Sequence, residues 1–114
     1  LQFKKFKQNV GVKSVISAIG LGAKLEAATS YGDFRHKSTD FNGGDWEVFV
    51  KRIDEYSSYC SSGEGVLLGA LLYRLGYSNL ADKVDNGLTW RNMSSVSGEF
   101  REAVVACIDP DWSK

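Results

Sequence analysis

Residues 61–76 read SSGEGVLLGALLYRLG, and they describe one buried helix from its first hydrogen bond to its last turn. The Ser61 side chain is placed to accept from the backbone N–H of Glu64, and the Glu64 carboxylate to accept from the N–H of Ser61. This reciprocal pair, a capping box, satisfies donors that a helix start otherwise leaves open. The run that follows is apolar around most of its circumference, which places it inside a core. Gly76 stands where helices commonly end, since glycine adopts the left-handed conformation at little cost.

Upstream of this segment, WEVFVKRIDEYSSYC spaces Trp46, Phe49, Val50, Ile53 and Tyr56 by threes and fours. That spacing predicts an amphipathic helix over 46–60, with Asp45 as its N-cap and Glu47, Lys51, Arg52, Asp54 and Glu55 in water. The connection to the Ser61 helix is very short, so the two are expected to form an antiparallel hairpin. Downstream, a short helix is expected over 79–85, capped by Ser78 and stopped near Gly87, and Trp90 opens a further segment. A last helix over about 98–108 is capped by Ser97, with Phe100, Val104, Cys107 and Ile108 facing the core, and Pro110 prevents its continuation. Ser-Gly-Glu opens two of these helices, at Ser62 and Ser97. The flanking residues do not align, so the tripeptide reads as shared helix-start grammar rather than a repeat.

Toward the N-terminus, Phe3, Phe6 and Val10 fit an amphipathic turn or two, interrupted near Gly11. Residues 13–30 read as a helix with Val15, Ile16, Ile19, Ala23 and Ala27 on one stripe, broadened by Leu21, Leu25 and Ala28. Gly20 and Gly22 either admit a close neighbour or break this helix in two. Residues 31–44, YGDFRHKSTDFNGG, read as a polar irregular loop pinned by Phe34 and Phe41, with a short strand as the alternative. The fold expected is all-α: one globular domain over residues 1–114, a compact bundle of about five helices around the hairpin 46–60 and 62–75.

Composition supports a packed core, with 43% hydrophobic residues and three tryptophans. Formal net charge is zero but unevenly spread: residues 1–44 hold seven Lys/Arg and three acids, residues 45–114 seven and eleven. The two halves can attract each other, or the first can serve as a basic arm. No apolar run approaches the ~18 residues of a membrane span. The basic start and the stretch Val15 to Ala23 are the one targeting candidate, and Lys13 and Lys24 crowd it. A cytoplasmic location is expected. Cys60 and Cys107 fit buried free thiols, a bridge being the alternative.

Few arrangements suggest chemistry. His36 is the one histidine, and as a general base it would use Asp33 or Asp40 as its orienting carboxylate in the 31–45 loop. No Cys-x-x-Cys pair, zinc spacing, Gly-x-Ser-x-Gly elbow or phosphate loop is present, so no metal and no cofactor are expected. The basic N-terminal region is the best binding candidate. Lys4, Lys5, Lys7, Lys13, Arg35 and Lys37 are candidate contacts to an anionic partner, with Phe3 and Phe6 stacking on bases or lying on a membrane surface. Alternatively, the two phenylalanines pack inward. Glu47, Asp54, Glu55, Asp82, Asp85, Glu99 and Glu102 give a milder acidic surface. The function expected is a small non-enzymatic protein–protein interaction protein: a regulator, inhibitor or accessory subunit of bacterial or mobile-element type. Nucleic-acid binding through the basic region is the alternative, and a small enzyme built on the 31–45 loop the second. A homodimer using Leu67, Leu71 and Tyr73 is the other use of the apolar helix.

Overall fold

The computed structural model describes residues 2–39, 46–85 and 96–107. Among these residues the chain forms eight helices and no strand: α1 Phe3–Gln8, α2 Val10–Ala18, α3 Gly22–Ala27, α4 Tyr31–Thr39, α5 Trp46–Tyr59, α6 Ser62–Arg74, α7 Ser78–Asp85 and α8 Gly98–Ala106. The all-α class is as expected, while the count of about five helices is too low. Every helix contributes to one contiguous core, from Phe6 of α1 to Val104 of α8.

Helix α6 is the element its sequence describes. Ser61 Oγ accepts from Glu64 N at 3.2 Å, and Ser61 N donates to Glu64 Oε1 at 3.2 Å. All seven residues from Val66 to Leu72 are buried. At its end Gly76 has φ +94°, Tyr77 N donates to Leu72 O at 2.8 Å and Gly76 N to Tyr73 O at 3.2 Å. These two bonds are a Schellman closure, which uses carbonyls the helix leaves open.

The same closure divides the predicted 13–30 helix. Gly20 has φ +86°, with Leu21 N donating to Ile16 O at 3.0 Å and Gly20 N to Ser17 O at 3.1 Å. The break resets the helical phase. Val15, Ile16 and Ile19 are buried before it and Leu21, Leu25 and Ala28 after it, while Ala23 and Ala27 turn outward. A methyl group at Gly20 would also strike the Arg52 guanidinium.

Residues 31–39 are helical, which corrects the loop or strand expected there. Ser30 Oγ accepts from Asp33 N at 3.1 Å, and the Asp33 carboxylate accepts from Thr29 N at 2.9 Å. Tyr31, Phe34 and Ser38 face the core at helical spacing. The Phe41 anchor and the Asp45 cap lie outside the described residues, as do the Gly87 stop, Trp90, Ile108 and Pro110.

The α5–α6 hairpin is also corrected. Helix α6 packs against α7, α8 and α2, whereas α5 packs against α2 and α7. An apolar circumference needs neighbours on several sides, and those three helices occupy it. Helices α5 and α6 are joined through Tyr56, whose hydroxyl donates to Glu64 Oε2. Leu67 and Leu71 are fully buried within the chain's own core, and the exposed Tyr73 donates to Asp82.

Helix α8 completes the core. The Phe100 ring rests on Gly11 and Gly63, and a Cβ at Gly11 would come within 2.9 Å of Phe100 Cδ1. Asn9 caps α2 through Oδ1, accepting from Val12 N at 3.0 Å, and donates from Nδ2 to Glu99 O at 2.9 Å. Arg74 Nε donates to the Cys107 carbonyl at the end of α8. Ser97 occupies the N-cap position of α8, but its side chain makes no capping bond, contrary to expectation. The tripeptide Ser-Gly-Glu sits one residue later relative to α6, where Ser61 and not Ser62 is the cap. In α8 the third position is therefore Phe100, which has no carboxylate to return the bond.

Candidate functional site

Short helices stack at the N-terminal end and bring lysines together. Phe6 of α1 is fully buried against Tyr31, ring centroids 5.0 Å apart, and Phe3 meets the same ring at 5.1 Å. These edge-on contacts fix α1 to the start of α4, with Phe6 buried and Phe3 partly buried against the core. This is the inward packing named above as the alternative for the two phenylalanines. Lysines 4 and 5 are thereby held on the outer side of α1, both exposed.

Lys7 is held more firmly. Its Nζ donates to Glu26 O at 2.8 Å and Ala28 O at 3.0 Å, and it lies 5.9 Å from the Phe3 ring centroid. Glu26 lies in the last turn of α3 and Ala28 is its C-cap, so Lys7 sits at the negative end of that helix, where a cation is favoured. Lys7 thus ties α1 to α3.

Beside it lies a cleft of about 290 Å³ lined by Lys4, Lys7, Gln8, Lys13 and Glu26. It draws on α1, α2 and α3 together. Among the described residues, Lys4 and Lys13 have no hydrogen-bond or ion-pair partner. Three ammonium groups and one carboxylate leave the cleft electropositive, a field that attracts anions within about a Debye length.

Of the six expected cationic contacts, Lys4, Lys7 and Lys13 therefore meet at one place. Lys5 is exposed on α1, and Arg35 is exposed on α4. Lys37 forms an ion pair with Asp33 at 2.9 Å one turn before it. Gln8 and Glu26 were not singled out by sequence. Gln8 lies one turn beyond Lys4 on α1, a signal that was legible. Glu26 reaches the cleft through the α2–α3 turn, which depends on the break at Gly20.

The Asp33–His36 pair falls on α4 rather than in a loop. The Asp33 carboxylate accepts from Lys37 and Thr29, and Lys37 first, then the Thr29 backbone, holds its pKa below the ordinary value. His36 is exposed on the same helix. Asp40 lies outside the described residues.

One polar cluster lies in the α5–α6 corner. The bond from Tyr56, then that from Ser61, holds the Glu64 carboxyl below its usual range. Burial, then the bond to Glu64, pushes the Tyr56 phenol up, and burial raises the nearby Cys60 thiol. Cys107 is buried and its thiol is pushed up to about 12 by burial. Both cysteines are free thiols. These groups close a helix start and fill the core. Among the described residues, no three His, Cys, Asp or Glu side chains are grouped to hold a metal ion. None of the helices among them is long and apolar enough to cross a membrane.

The molecule is thus an all-α globule with a lysine-lined cleft at its N-terminal end. Comparison with protein-family models, curated proteins and solved structures gives no match.

Proposed function

We propose that this chain is a non-enzymatic interaction protein, a regulator, inhibitor or accessory subunit, that engages an anionic protein partner through the lysine-bearing face of α1 and α2. The observation that supports it is the meeting of Lys4, Lys7 and Lys13 at one cleft, two of them unpaired among the described residues. Unpaired cations on one face raise association rates with an acidic surface and set the orientation of docking. Nucleic acid is the second reading. It is favoured by the five lysines of the first 25 residues, all preceding the first acid, Glu26. With Phe3 and Phe6 packed inward, such binding would rest on phosphate contacts and carry little sequence preference.

The test is capture from the native host's lysate on the immobilised chain, with and without nuclease, beside a Lys4→Glu/Lys13→Glu variant. The expected result is a nuclease-resistant protein partner that the variant loses and that elutes early with salt. Loss of the captured material on nuclease treatment moves the assignment to nucleic acid. Capture unchanged by the charge reversal overturns both.

A further inference from the structure

We infer that the cleft between α1, α2 and α3 is a binding site for a dianionic phosphoryl group, of the phosphomonoester type, borne by the ligand. This deepens the anionic-partner reading above and rests on it. Size is the first consideration. At about 290 Å³ the cleft lies just below the ~300–1,000 Å³ range of small-molecule sites, which leaves ample room for one phosphoryl group.

Donor chemistry is the second. The two-pronged arginine guanidinium matches carboxylates and phosphates alike, and among the described residues no arginine lines this cleft. Its cations are lysines, compact point charges with three donors each, which suit an oxyanion approached from several directions. Gln8 adds a neutral amide donor to the lining.

Charge is the third. Lys7 is committed to the Glu26 and Ala28 carbonyls, so it is a positioning residue that also shapes the wall. Lys4 and Lys13, without a partner among the described residues, supply two charges, a match for a phosphomonoester of roughly −1.5 to −2 at neutral pH. A diester carries only one. Glu26, also in the lining, opposes the anion. Removing its charge therefore strengthens binding.

The experiment is a titration of the full ¹⁵N-labelled chain with inorganic phosphate and with O-phosphoserine, at constant ionic strength in chloride. The readouts are the Gln8 side-chain amide and the backbone amides of residues 4–8. The wild type is compared with Lys4→Ala/Lys13→Ala and with Glu26→Gln. Lys7 is left in place because it secures α3. Saturable shifts are expected, with a midpoint about tenfold weaker in the double variant. Glu26→Gln is expected to bind about threefold tighter. Linear, unsaturated shifts, or equal midpoints in wild type and double variant, overturn the assignment. An oligothymidylate that displaces phosphate at a lower midpoint overturns the preference for a dianion and makes the diester backbone the ligand. The two proposals fail separately. Partner capture that survives Lys4→Ala/Lys13→Ala removes the cleft but leaves a wider basic face. A saturable phosphate site in a chain that captures no partner removes the interaction reading alone.

Discussion

Helices α6 and α4 begin in the same way and are built differently afterwards. Each is opened by a serine that accepts from the backbone N–H three residues on, Ser61 from Glu64 and Ser30 from Asp33. In each, the acid at that third position returns a bond to the chain entering the helix, at Ser61 in one and Thr29 in the other. Beyond the cap, α6 buries seven consecutive residues, whereas α4 buries Tyr31, Phe34 and Ser38 and leaves Gly32, Asp33, Arg35, His36 and Lys37 partly or fully in water. A cap therefore states where a helix starts but not how it is held. Helix α6 is held by burial on all sides, and α4 by two rings and a polar network.

The largest expected effects test whether that contrast extends to energy. Leu68→Ala in α6 removes a fully buried side chain and is expected to cost about 2–5 kcal/mol. Phe34→Ala in α4 is expected to cost about 3–5 kcal/mol, since the ring is equally inaccessible. Chemical denaturation of both variants measures the pair. A Phe34 variant within about 1 kcal/mol of wild type would make α4 an appendage and break the comparison.

The caps come next. Ser61→Ala and Ser30→Ala are each expected to lose about 1 kcal/mol, within the usual 0.5–2 range. Equal losses, read from denaturation midpoints, would show that the two boxes act independently of what the helices bury. A loss at Ser61 alone would reduce the Ser30 box to decoration.

Acidification sharpens the same point. The Glu64 and Asp33 carboxyls both lie below their ordinary values of 4.5 and 3.8 in the folded chain. A carboxyl with a depressed folded pKa stabilises fully above its unfolded value and loses that contribution as pH falls through the folded one. The stability gap between wild type and Glu64→Gln should therefore be constant near neutrality and narrow as pH drops below about 4.5. That for Asp33→Asn should narrow at lower pH, below about 3.8. Urea midpoints from neutrality to acid give both curves, and a gap that widens on acidification contradicts the bonding described.

The smallest effect has the opposite sign. Ser38 Oγ is buried without a hydrogen-bond partner among the described residues, which leaves its desolvation uncompensated by them. Ser38→Ala should be neutral or stabilise by up to about 1 kcal/mol. A destabilisation above that value would place an undetected partner on the hydroxyl.

The same two helices show what the sequence makes legible. Every device of α6 lies within sixteen consecutive residues, so cap, apolar run and closing glycine are read together. The Ser30–Asp33 signal is just as local, but the core stripe of α4 has a serine as its third member. Its polar surroundings then look like a loop. Gly20 carried the right alternative, since its closure is that of Gly76, but only the phase of the buried residues beyond it decides for the break. The α5–α6 hairpin failed for a different reason. Short connections limit how far apart two helices lie, not which neighbour a fully apolar helix prefers. The lysines were legible as a set from composition. Which three share a cleft was not, because that depends on Lys7 reaching the end of α3 and on the turn at Gly20.

The seat of Phe100 on Gly11 and Gly63 has a consequence for synthesis on the ribosome. The partner bond from Asn9 to Glu99 spans 90 residues, so α2 and α6 leave the exit tunnel without the ring that covers their glycines. At roughly 5–20 residues per second, on the order of ten seconds pass between the emergence of α2 and that of α8. During that interval the nascent chain presents Val12, Val15 and the α6 leucines with one wall missing. The packing of Phe100 on Gly11 and Gly63 therefore closes last, once α8 has been made.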